Sequence, residues 1–138
     1  MCVVQEETTG CGIASTANIL GKSYAEMKGI ANAMGIYASD ESLWSDTRYV
    51  RQILLKFGVE TSEDEIPFQS WQALPDLALL AIKHHEVNGT CFWHWVVVQR
   101  QGTMEYVLDS ASYLETNLRT DFEAMCPKWY IEVVKTIP

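Results

Sequence analysis

The hydrophobic pattern changes along this chain, with apolar residues at helical spacing in the first half and strand-like patterning in the second. Helices and strands place side chains with different periods, so this change separates a helical part from a sheet. The first half predicts three helices, over 13–20, 23–35 and 46–57. The order predicts an α+β domain, with the helices packed on a C-terminal antiparallel sheet.

The second half contains a predicted β-hairpin, formed by 92–100 and 104–109 and joined by a short glycine-containing turn. Aromatic and β-branched residues over 129–135 predict another strand. The segment 77–85 reads as a buried strand or as the tail of a helix, and its periodicity leaves both open. A short helix is expected near Trp71.

Length and composition favour a single domain spanning 1–138. A chain of 138 residues can bury a continuous apolar core without disulfides or a metal, and no repeat or linker divides it. The net charge of -8 argues against a nucleic-acid partner, because phosphate backbones require a basic surface. No heptad pattern is present, so a monomer is expected.

Apolar runs and cysteine spacing bear on location and cofactors. The longest apolar runs are too short to cross a bilayer, and no secretory signal is visible. We therefore expect no membrane span and a cytoplasmic protein with reduced thiols, which needs no metal or other cofactor. A zinc site is disfavoured because structural sites usually bring their ligands in close pairs. Its candidate ligands would be Cys11, Cys91, His94 and Cys126.

Cys11 lies at the N-terminus of the first predicted helix, between two glycines. Unpaired N–H groups and the helix dipole at such a position stabilise a thiolate and lower the pKa of a cysteine. Cys11 is therefore a candidate nucleophile. The alternative is a buried cysteine that only fills the core.

His94 and Asp109 are predicted to meet across the hairpin. If Gln101 and Gly102 form a two-residue turn, the antiparallel register places His94 directly opposite Asp109. A carboxylate there can orient the imidazole as a general base, although a purely structural pair is the alternative. A different loop length would shift the register.

Gln5 precedes Cys11 by six residues. Its amide can donate a hydrogen bond to an oxyanion, together with the Cys11 N–H. Gln5, Cys11, His94 and Asp109 then supply an oxyanion donor, a nucleophile, a base and an orienting group.

Three segments resemble the C39-like, bacteriocin-processing branch of the papain-like cysteine peptidases: QEETTGCGIAS at 5–15, HWVVV at 94–98 and VLDS at 107–110. Gln5, Cys11, His94 and Asp109 match the family pattern. The resemblance implies a bacterial protein with a papain-like fold that hydrolyses peptides through an acyl-enzyme, often after a double-glycine leader. Many members have Asp and Pro where this chain has Gly10 and Ser110, and export-coupled members are commonly fused to transporters.

The leading hypothesis is a thiol-dependent hydrolase acting on a peptide or related amide bond. The second hypothesis is a module that binds a peptide without cleaving it. Acyl transfer or deamidation is the third, because water and amine acceptors use the same catalytic groups.

Overall fold

Three α-helices precede the strands of the sheet in the computed structural model, which describes residues 2–6, 9–114 and 116–134. The helices are α1 (Cys11–Leu20), α2 (Tyr24–Ala33) and α3 (Arg48–Lys56), and two short 3-10 helices span Glu41–Leu43 and Phe122–Ala124. A capping box begins α2, since the side chains of Ser23 and Glu26 each accept from the other's backbone N–H. Within the described residues, no helix combines the length and apolarity that crossing a membrane requires.

Seven antiparallel strands in the described chain form the sheet, in the order β1-β7-β3-β4-β5-β6, with β2 also paired to β7. The strands are β1 (Glu60–Thr61), β2 (Ile66–Pro67), β3 (Leu77–Val87), β4 (Thr90–Gln101), β5 (Met104–Leu108), β6 (Leu118–Arg119) and β7 (Trp129–Val134). The α+β prediction is confirmed. Residue 135, the end of the last predicted strand, lies outside the described residues.

The segment left open by its periodicity is a strand, β3, at the centre of the sheet. It pairs with β4 on one side and with β7 on the other. Ala78 to Ile82 are all buried, which explains why the alternation expected of a half-exposed strand is absent. A bulge between Ile82 and His85 interrupts the pairing with β4, and Lys83 there has a φ of 53°.

The helix expected near Trp71 was wrong, because Trp71 to Leu74 form a turn. Pro75 disfavours a helical backbone at Leu74, the residue before it. The guanidinium of Arg100 donates to the carbonyl oxygens of Leu74 and Trp71 at 2.8 and 3.0 Å. The turn is thus held against β4, with its polar backbone groups paired.

Both faces of the sheet are covered, and the core lies in two clusters. Leu79 and Val97 belong to the cluster that also contains the buried faces of α1, α2 and α3. Their neighbours Leu80 and Val96 belong to the second cluster, with Met125. Neighbouring residues on β3 and β4 fall in different clusters because strand side chains alternate between faces.

Tyr49 joins the helical layer to the sheet. It lies on α3, and its hydroxyl accepts a hydrogen bond from the side chain of Trp95 on β4. The ring also packs on the backbone of Gly12, where a Cβ would lie 2.1 Å from the Tyr49 hydroxyl and 2.7 Å from two ring carbons. Glycine after Cys11 is therefore a packing requirement.

We expect Gly12→Ala to destabilise the fold by about 1–2 kcal/mol, because the added methyl overlaps the buried ring of Tyr49 and forces a neighbour to move. Urea unfolding measures the change. Gly29→Ala is the matched control: Gly29 is exposed on α2 with no atom within 4 Å of the new Cβ. Helix propensity should make it stabilising by about 0.5–1 kcal/mol. Equal effects of the two substitutions would contradict the packing argument.

Candidate active site

Cys11 is the first residue of α1, as predicted, and is partly exposed. It opens onto a cavity of about 370 Å³. His94 on β4 lines the same cavity, so the fold brings together two side chains from a helix and a strand that lie far apart in sequence. Aromatic side chains form much of the remaining wall: Trp44, Tyr49, Phe92, Trp93 and Trp95.

His94 uses its two ring nitrogens in different directions. Nε2 lies 2.7 Å from Oδ1 of Asp109 and donates to it. The side chain also hydrogen-bonds with the thiol of Cys11. Because Asp109 engages Nε2, Nδ1 is the nitrogen available to that thiol. This arrangement fixes the tautomer in which Nδ1 of the neutral ring is an acceptor.

Asp109 meets His94, but not through the predicted register. The turn is at Gly102 and Thr103, so Gln101 pairs with Met104 and the ladder ends at Val97 and Leu108. A primed two-residue turn needs positive φ at its first central residue, and Gly102 supplies a φ of 61°. The prediction that Asp109 lies directly opposite His94 was therefore wrong.

The predicted register is wrong by two residues. A turn at Gln101 and Gly102 would pair Arg100 with Thr103, whereas Arg100 pairs with Glu105. A shift of two keeps each side chain on its face of the sheet, whereas a shift of one would have reversed it. Asp109 follows β5 directly and reaches His94 diagonally.

The carboxylate of Asp109 is fully buried, with 0% of the side chain exposed, and it has three hydrogen-bond donors among the described residues. His94 and the Ala111 N–H donate to Oδ1, the latter at 3.1 Å, and Arg119 donates to Oδ2 at 2.9 Å. The side-chain amide of Asn117 donates to the Asp109 carbonyl oxygen at 2.7 Å. The loop after β5 thus folds back around this one residue.

Gln5 is buried beside Ser110, the residue after Asp109. Its backbone N–H donates to the Ser110 carbonyl at 2.9 Å, and the Ser110 hydroxyl donates to Gln5 Oε1 at 2.8 Å. These hydrogen bonds tie Gln5 to the loop that follows Asp109, and Gln5 is not among the residues found to line the cavity.

Charges around the pair shift both pKa values. Burial opposes a charged imidazole, but the hydrogen bonds and charges of Asp109 and Cys11 outweigh it and raise the pKa of His94 to about 9. Burial likewise opposes ionisation of Asp109, but His94, the Ala111 N–H and Arg119 lower the pKa of its carboxyl to about 2. The pair is therefore a stable imidazolium and carboxylate over the neutral range.

Sequence reasoning missed Arg119, Ser110 and Tyr49. Arg119 follows Asp109 by ten residues and reaches it only because β6 pairs with β5. A two-residue strand such as β6 has no periodicity that a sequence pattern could reveal. Ser110 was noted only as a departure from the family pattern.

No group of three histidine, cysteine or acidic side chains in the described chain is arranged to hold a metal ion. Cys126, one of the four residues considered for zinc, is exposed.

Comparison with known proteins identifies a structural relative. No family model matches the sequence, and no curated protein matches it significantly. Among solved structures, the fold matches a double glycine motif protease from an AMS/PCAT transporter, crystallised in complex with the leader peptide. The TM-score is 0.61 and the identity 16%, and the match covers 96% of this chain and 89% of that chain.

The chain shares the fold of that protease. The expected C39-like, papain-like architecture is confirmed at the level of the fold. At 16% identity the match supports the fold alone, and the roles of individual residues rest on the geometry described above.

The raised pKa of His94 predicts a pH-dependent contribution to stability. Protonation in the folded state stabilises the protein fully below the ordinary value of 6.5, and this stabilisation is lost as pH rises toward 9. Relative to His94→Gln, the wild type should lose about 2–3 kcal/mol of unfolding free energy across that interval. Urea titrations at several pH values test this, with His85→Gln as the background for replacing an exposed histidine. A pH-independent difference for His94→Gln would contradict it.

Proposed function

We propose that the chain is a thiol-dependent hydrolase of a peptide or related amide bond, with Cys11 as nucleophile and His94 as general base. Asp109 orients the base, and Gln5 donates to the oxyanion. One observation carries the proposal: His94 contacts a fully buried Asp109 through Nε2 and Cys11 through its other side. A structural histidine would not need to face a half-exposed thiol in an open cavity.

The proposed reaction proceeds through an acyl-enzyme. In the reactive pair the proton of the Cys11 thiol resides on Nδ1 of His94, so the Cys11 thiolate attacks the carbonyl carbon and the carbonyl oxygen becomes an oxyanion. The Cys11 backbone N–H at the start of α1 and the Gln5 amide stabilise that oxyanion. The imidazolium then protonates the leaving amine. Water, deprotonated by His94, releases the acid and restores the thiol.

A peptide is the proposed substrate class, because the cavity beside Cys11 has aromatic walls suited to an extended chain. The structural relative is a double glycine motif protease that was crystallised with a leader peptide. A peptide containing a double-glycine site is therefore the first substrate to test.

A peptide-binding module without turnover is the second candidate. The observation in its favour is the same aromatic cavity, which can hold a peptide whether or not a bond is cleaved. Acyl transfer differs from hydrolysis only in the acceptor, and added hydroxylamine would trap the acyl group as a hydroxamate.

Selective alkylation tests the nucleophile. With limiting iodoacetamide near neutral pH, Cys11 should react well before the three other cysteines. Burial raises the pKa of the Cys2 thiol, and exposed Cys126 provides an internal standard for an accessible thiol. His94→Ala should slow labelling of Cys11 by about tenfold or more and leave Cys126 unchanged. Intact mass and peptide mapping measure both. Labelling governed by exposure alone would contradict the proposal.

Turnover of a double-glycine peptide separates the hydrolase from the binding module. Cys11→Ala should abolish cleavage while leaving peptide binding intact. Gln5→Ala should lower kcat by about 10²–10³, since one oxyanion donor is lost, but should leave Cys11 alkylation unchanged because alkylation forms no oxyanion. Gln72→Ala, at an exposed position, is the matched control. Binding of the peptide by wild type without any cleavage would favour the module.

A further inference from the structure

Arg119 links the buried carboxylate of the site to a carboxylate at the surface. Its Nη1 donates to Oδ2 of Asp109 at 2.9 Å. Its Nε and Nη2 donate to the two oxygens of Asp121 at 2.9 and 2.7 Å, which is the paired geometry that guanidinium and carboxylate groups prefer. His94, Asp109, Arg119 and Asp121 therefore form a continuous row of side chains.

The row has alternating charge. His94 bears a proton on β4, Asp109 follows β5, Arg119 ends β6, and Asp121 lies two residues beyond it. Among the described residues, Cys2 also lies near this row, with its sulfur 3.9 Å from the Asp109 carbonyl oxygen, and the thiol of Cys11 faces His94. Exposure increases along the row, from 0% for the Asp109 side chain through 13% for Arg119 to 55% for Asp121.

A fully buried carboxylate needs a permanent counter-charge. His94 compensates Asp109 only while the imidazole is protonated, and a general base loses its proton during the reaction cycle. Arg119 keeps its charge throughout and so holds Asp109 ionised in every step. The positive charge of Arg119 also opposes protonation of His94. The negative charge of Asp121 reduces this effect, because it partly neutralises the guanidinium.

We propose that Arg119 is a positioning residue of the site, acting on His94 through Asp109, and that Asp121 sets how strongly it does so. The catalytic meaning of this inference rests on the proposed function. Its geometry does not, because every contact in the row joins side chains of this chain.

Substitutions of Arg119 and Asp121 should shift the titration midpoint of His94 in opposite directions. Arg119→Met removes a positive charge behind Asp109, which should make protonation of His94 easier and move its titration midpoint upward. Asp121→Asn removes a negative charge and leaves the guanidinium to Asp109 alone, which should move the midpoint downward. Each shift should be about half to one pH unit.

NMR titration of the imidazole signals measures these midpoints, and the chain has only three histidines to assign. The titrations use a Cys11→Ala background, so that His94 responds to Asp109 and not to a thiol. Asp76→Asn is the control: Asp76 is also an exposed carboxylate paired with an arginine, Arg100, at the far end of β4. It should leave the midpoint of His94 unchanged.

Opposite shifts in Arg119→Met and Asp121→Asn support the inference. A downward shift in both would overturn it, since that is what loosening of the loop and entry of water around Asp109 would produce. No shift in either would also overturn it. If Arg119→Met does not fold, Asp121→Asn still decides, because its downward shift against an unchanged Asp76→Asn is required.

The outcome is separable from that of the proposed function. Unreactive Cys11 together with opposite shifts of the His94 midpoint would contradict the hydrolase proposal and still support the proposed roles of Arg119 and Asp121. Reactive Cys11 without those shifts would support the hydrolase proposal and contradict the proposed roles of Arg119 and Asp121. If both hold, the pH profile of Cys11 alkylation should move upward in Arg119→Met and downward in Asp121→Asn.

Discussion

The fully buried carboxylate of Asp109 is the interaction on which the arrangement of this site depends. An ionised group without solvent must be paired and hydrogen-bonded, or it takes up a proton instead. His94, the Ala111 N–H and Arg119 meet that requirement from β4, the following loop and β6. The burial of one side chain therefore dictates the path of the chain from the end of β5 to the end of β6.

The second constraint is the contact between the helical layer and the sheet. Tyr49 touches Gly12 on α1 and accepts a hydrogen bond from Trp95 on β4, one residue from His94. Burial and the charge of Cys11 raise the pKa of Tyr49, so its hydroxyl stays neutral. The ring of Tyr49 thus contacts both the helix that carries Cys11 and the strand that carries His94.

The sequence allowed the helices, the hairpin and the four candidate residues to be predicted because each leaves a local signal. Ser23 and Glu26 mark a helix start, and alternation marks β4. The register of β4 on β5 was missed because it depends on which position of the turn Gly102 occupies, and only the positive φ decides that. Arg119 was missed because its partner is set by tertiary pairing. The nature of β3 stayed open because burial on both faces removes periodicity.

The N-terminal segment has a consequence for when this site can exist during synthesis. Val3 donates to Asn18 on α1, and Gln5 bonds Ser110, 105 residues later. Arg119 must also be in place before Asp109 is compensated. Contacts of such sequence separation close only after most of the chain is available, and loop closure of this size is slow relative to helix formation. A ribosome-bound chain that has released only its helices therefore carries Cys11 before His94 and Asp109 are available to form the site around it.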